Sequence, residues 1–128
     1  MADFDRDDAG EEAARFITRS EGYFELGDSR EGLRVLDSMP QELQGFTKVK
    51  ILRALLLMSL ELWPEAEAVA ATALAAPEMS SVLWYSLAVA QAQQMKLEEA
   101  RESLRWAIDL DADLREVALR DVALVGVW

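Results

Sequence analysis

The stretch KLEEARESLRWAIDLDA, residues 96–112, admits two readings that lead to different proteins. Ala100 and Ala107 are small residues at helical spacing, as where one helix crosses another closely. The ending, Asp109, Asp111 and Asp113, has the alternate-carboxylate spacing of a calcium loop. The loop reading fails on its own requirements. No glycine makes the sharp turn, and Arg120 stands where a bidentate glutamate would close the site. The stretch therefore reads as a helix with an acidic end, and no metal or other cofactor is expected.

Working outward from it, a period emerges. Ala66 and Ala100 are 34 residues apart, as are Ala73 and Ala107, and Ala54 and Ala88. A further shift by 34 places Gly32 with Ala66, Ser20 with Ala54 and Leu36 with Ala70. Small residues at matched places let two helix backbones approach, and a period of this length predicts paired helices stacked side by side. Apolar residues recur at three and four nearly throughout, with no β-branched alternation. Gly27, Pro40 and Gly45 fall between the candidate helices; Pro64 reads as a helix start and Pro77 as a stop. The expected helices are 10–25, 30–39, 46–61, 64–75, 80–93, 97–109 and 113–120.

These residues carry a resemblance. Trp84, Leu87 and Ala88, followed by Leu97, Ala100, Leu104, Ala107 and the ending AIDLDA, resemble the tetratricopeptide repeat. Residues 47–80 share the pattern through Ala54, Leu57, Trp63, Ala66 and Ala73. Residues 13–46 share it through Phe16, Tyr23, Gly27 and Leu36. The repeats are thus 13–46, 47–80 and 81–114, and the close of the chain, Asp121, Leu124 and Trp128, is similar to the DPDLEPLW ending of some bacterial members. The resemblance implies an all-α fold: a right-handed stack of three antiparallel helix pairs, then a capping helix and tail over 115–128 with Trp128 tucked in. Departures from the pattern are Arg19, Lys50, Arg53, Gln91 and Met39, and the first repeat ends early at SMP. An irregular join with an extra turn at PQELQG is expected there.

Composition narrows the function. At 128 residues and 52% apolar, the chain is long enough for one domain with its own core, preceded by an acidic tail over residues 1–9. It contains no histidine and no cysteine. The commonest general base and metal ligand are therefore missing, as is every nucleophile–histidine pair, and no enzymatic role is expected. Glu98, Glu99, Glu102, Arg101 and Arg105 read as a solvated face with pairs such as Glu98–Arg101. The formal net charge of −11 disfavours nucleic acid and anionic membrane. No apolar run reaches membrane length, and the acidic start lacks the features of a signal peptide, so a cytoplasmic protein is expected. Trp63, Trp84, Trp106 and Trp128 read as packing residues and not as a ligand cage.

The stretch TKVKILRALLLMSLELW is apolar nearly all round. The resemblance places the first helix of each pair on a concave face. It implies a groove of Ile17, Glu21, Phe24 and Glu25, then Ile51, Leu55, Met58 and Ser59, then Val82, Tyr85, Val89 and Gln93. Such an apolar trough with an acidic margin suits an apolar or basic-amphipathic peptide. A non-catalytic protein-interaction module is expected, as a monomer or weak homodimer. The alternatives are a small dedicated chaperone of a secretion or assembly component, a self-associating repeat domain, or a trough covered by residues 1–12.

Overall fold

A computed structural model describes residues 6–74 and 80–128. Pro77 and the first five residues lie outside the described residues. The fold is all-α: α1 (Arg6–Glu25), α2 (Ser29–Asp37), α3 (Thr47–Ser59), α4 (Trp63–Leu74), α5 (Ser81–Gln93), α6 (Leu97–Leu110) and α7 (Leu114–Arg120). Short 3-10 segments cover Gln41–Leu43 and Val122–Val127. No strand occurs among the described residues. Helix α1 begins ahead of the expected residue 10, and Ala9 is buried in the core, so the ordered chain reaches into the expected acidic tail.

Helices pack in consecutive pairs, α1 with α2, α3 with α4, α5 with α6, and each pair packs on the next. Within each pair the two helices are joined by three-residue connections, 26–28, 60–62 and 94–96, and these repeat the 34-residue period in backbone geometry. Their central residues, Gly27, Glu61 and Met95, have φ of 79°, 58° and 63°. The N–H groups of Asp28, Leu62 and Lys96 donate to the carbonyls of Tyr23, Leu57 and Gln91 at 2.8, 2.9 and 2.9 Å. Those of Gly27, Glu61 and Met95 donate to Phe24, Met58 and Ala92 at 3.0, 2.9 and 3.0 Å. This is the Schellman arrangement, in which a left-handed residue lets the next N–H groups satisfy the helix's last carbonyls. Only the first turn uses glycine. Glu61 and Met95 hold the same conformation against the steric cost of a Cβ.

The small residues also sit where the period puts them. Ala54, Ala66, Ala88 and Ala100 are fully buried, as is Ser20, whose hydroxyl donates to the Gly32 carbonyl at 2.9 Å. A Cβ on Gly32 would lie 2.9 Å from Leu56 Cδ2 and 3.2 Å from the Ser20 carbonyl oxygen. The first pair has glycine where the later pairs use alanine, and a β-carbon there would crowd Leu56 of the next pair and the Ser20 carbonyl.

The join between the first and second pairs is irregular, as the early end at SMP implies. The 3-10 turn Gln41–Leu43 drops Leu43 into the first core cluster. Arg53, whose counterpart 34 residues on is Leu87, binds Asp37 at 2.6 Å and Gln44 Oε1 at 2.8 Å. Gln44 in turn donates to the Leu36 carbonyl at 2.8 Å. The departure from the pattern thus fastens the irregular join. Gln91 plays a similar part between α4, α5 and α6: it accepts from Ser103 Oγ at 2.7 Å and donates to Glu67 at 3.2 Å. Burial acts to raise the Glu67 carboxyl, but hydrogen bonds from Lys96, Gln94 and Gln91 and the Lys96 charge outweigh it and hold the group below its ordinary range.

The tryptophans are less buried than a packing role implies. Trp63 and Trp84 are half-buried. Trp84 stacks on Trp106 at 5.7 Å between ring centres, while Trp106 remains 43% exposed. Trp128, expected to be tucked in, is 53% exposed. The expected Glu98–Arg101 pair is not formed; Arg101 Nε donates instead to the Val127 carbonyl at 2.8 Å.

Candidate functional site

Among the described residues, the face that α1 and α3 present together is an open depression of about 450 Å³. Ile17 and Glu21 come from α1, and Ile51 and Leu55 from α3, so four of the expected groove residues line one hollow. They meet because the two helices pack directly on each other, and because Ile17 and Ile51 hold the same place in consecutive repeats, as do Glu21 and Leu55. Ala14, Thr18, Lys48 and Leu52 complete the lining. A neighbouring depression of about 340 Å³ shares Ala14, Ile17 and Lys48 and extends to Gly10 and Phe46. Ile17, Ile51 and Leu55 are half-buried. Ile17 and Ile51 also pack against buried core side chains, and with Leu55 they form an apolar wall.

The margin carries both signs of charge. Glu21 stands on one side, as expected, and Lys48 on the other. Lys48 lies one turn before Leu52, a spacing visible in the sequence but obscured by the apolar run that follows it. Glu25 is exposed beyond the hollow. Phe24 packs against the first core cluster. At the far end of α3, Met58 is half-buried, and the Ser59 hydroxyl accepts from Ser29 Oγ at 2.7 Å.

The corresponding face of α5 meets the protein's own C-terminal segment. Tyr85 donates to Asp121 Oδ2 at 2.6 Å, and Gln93 Nε2 lies 3.5 Å from the Ala123 carbonyl oxygen. Tyr85 and Val89 pack against the cluster that contains fully buried Leu124 and nearly buried Val127. Burial, the hydrogen bond to Asp121 and that carboxylate's charge all raise the Tyr85 phenol well above its usual range. Val82, at the start of α5, is exposed. The described residues thus divide the expected trough into an open part on α1 and α3 and a part on α5 that Val122–Val127 packs against.

Among the described residues no cluster of carboxylates could hold a metal. Asp109, Asp111 and Asp113 are all exposed, and Asp111 Oδ1 accepts from the Asp113 N–H at 3.1 Å in a local turn. No helix among the described residues is long and apolar enough to cross a membrane. Compared with known proteins, the chain matches no family model and no curated sequence significantly.

Proposed function

We propose that the chain is a tetratricopeptide-like, non-catalytic interaction module that holds an apolar or amphipathic peptide segment between α1 and α3. The observation that carries this reading is the hollow itself: Ile17, Ile51 and Leu55 offer an apolar wall, and Glu21 and Lys48 offer fixed charges beside it. Leaving large aliphatic side chains partly wet forgoes burial energy that a guest helix or strand would recover, about 25 cal/mol per Å² covered. Glu21 suits a basic residue of an amphipathic helix, and Lys48 fixes its direction by favouring an acidic one at the other end. The 34-residue period of turns and crossings supports the repeat reading.

The test compares wild type with Leu55→Glu in pull-downs from native extract, alongside thermal melts of both proteins. A partner retained by wild type and lost by a variant of unchanged melting temperature supports the reading. Equal retention by both overturns it.

A second reading, self-association, is favoured by Val117, Leu119, Val122 and Val125, all exposed at the last helix and the segment after it. Sedimentation over a range of concentrations distinguishes it. Association abolished by Val122→Glu would move the working surface to that end of the molecule.

A further inference from the structure

A further hollow, of about 370 Å³, lies between α6, α7 and the C-terminal segment. Its apolar lining is Leu104, Ile108 and Val127, with the half-exposed indole of Trp128 beside them. Three arginines also line it: Arg101 and Arg105, one turn apart on α6, and Arg115 on α7. In a chain with a net charge of −11, this is a local concentration of the opposite sign. Asp109 also lines the hollow and offsets one of the three charges. Among the described residues none of the three arginines forms an ion pair. Arg101 is held by its bond to the Val127 carbonyl, which leaves its terminal nitrogens free to donate.

We infer that this hollow binds a small anionic amphiphile, with an alkyl chain or ring on Leu104, Ile108 and Val127 and a carboxylate or phosphate head among Arg101, Arg105 and Arg115. Guanidinium groups take such heads through paired hydrogen bonds, and they do so better beside apolar surface than in open water. The volume falls within the range of small-molecule sites, and apolar walls with a few convergent polar groups are the usual composition of one. The chain's overall negative charge opposes the ligand at a distance, so binding depends on the local arginines and weakens as they are removed. This site is separate from the α1–α3 hollow and does not rest on the peptide reading.

The test uses the full chain and sodium decanoate below its micelle-forming concentration. The readout is the indole N–H resonances of the four tryptophans, with Trp128 assigned through Trp128→Phe. Decanoate is expected to shift the Trp128 signal saturably, with decanol weaker by about tenfold or more and decyltrimethylammonium without effect. Arg105→Gln with Arg115→Gln, both at exposed positions, is expected to reduce decanoate binding to the level of decanol while leaving the circular dichroism unchanged. If that pair alters the fold, Arg105→Lys alone serves, since it keeps the charge and loses the fork; a weakening short of the full loss is then expected. The inference is overturned by equal binding of decanoate and decanol, by shifts confined to other tryptophans, or by no shift at millimolar decanoate. Binding to phosphatidylglycerol vesicles without any response to monomeric decanoate also overturns it.

Discussion

Helices α3 and α5 hold equivalent places in consecutive repeats, yet their outward faces meet different surroundings. Ile51 corresponds to Tyr85, Leu55 to Val89 and Ser59 to Gln93, each 34 residues on. On α3 the first two of these positions line an open hollow, and Ser59 accepts a hydrogen bond from Ser29. On α5 they meet the segment Val122–Val127, through the Tyr85–Asp121 bond and the packing of Leu124 and Val127. The difference teaches that register decides which face a side chain occupies, while the chain that follows decides whether that face is available. The second pair is followed by another pair, which packs on it through α4 and α5. The third is followed by a short helix and a 3-10 segment free to turn back over α5 and α6.

The sharpest way to break this contrast is to loosen the cover. Leu124→Ala removes a fully buried side chain from the C-terminal cluster and is expected to cost about 2–5 kcal/mol in urea unfolding. It should also expose the α5 face to an apolar dye, and no gain in dye binding would mean that the segment is not what covers Tyr85 and Val89. Next in size are the crossings, which the two pairs share. Ala66→Leu and Ala100→Leu should each destabilise by about 1–3 kcal/mol, and by similar amounts, because both sites are fully buried between helices. A large inequality between them would show that the pairs differ in their cores as well as their faces.

Smaller effects test the turns and the tyrosine. Glu61→Gly should raise stability by about 1 kcal/mol by relieving a left-handed non-glycine residue, and Gly27→Ala should lower it by a similar amount. Tyr85→Phe should cost about 0.5–1.5 kcal/mol at neutral pH. Its pH dependence has a definite sign. The folded state holds Tyr85 neutral beyond the point where the unfolded chain ionises it, so the full stabilisation is present below the ordinary tyrosine pKa and declines as pH rises above it. Urea midpoints measured into the alkaline range should therefore fall more steeply for wild type than for Tyr85→Phe. Glu67 works in the opposite direction: its contribution is present above the ordinary carboxylate pKa and is lost as acid protonates it. Leu55→Glu should have the least effect on folding, within about 0.5 kcal/mol, since a half-buried position at an open hollow can turn a carboxylate to water.

Much of this was legible in the residues. The alanines at 54, 66, 88 and 100 gave the period, and the period located the helices and their connections. The early stop at SMP signalled the irregular join. Three features were hidden for physical reasons. The left-handed turns at Glu61 and Met95 carry no glycine, so only their spacing from Gly27 could betray them. The clamp of Arg53 on Asp37 and Gln44 joins residues from separate elements, and neither helical spacing nor charge pairing along one helix points to it. The return of residues 122–127 over α5 depends on tertiary docking, in which a partner 36 positions away, Asp121 for Tyr85, supplies the decisive contact. The 34-residue register alone treats α3 and α5 alike, and so it joins into one trough what the structure divides.

The C-terminal segment is a competitor attached to the molecule it competes for. Any guest for the α5 face must displace a tethered occupant whose Leu124 and Val127 are already packed into the core. A guest for the α1–α3 hollow would meet no such rival from Val122–Val127. If both faces took guests, their thresholds would therefore differ widely, with a weak ligand sufficient at one and a strong ligand required at the other.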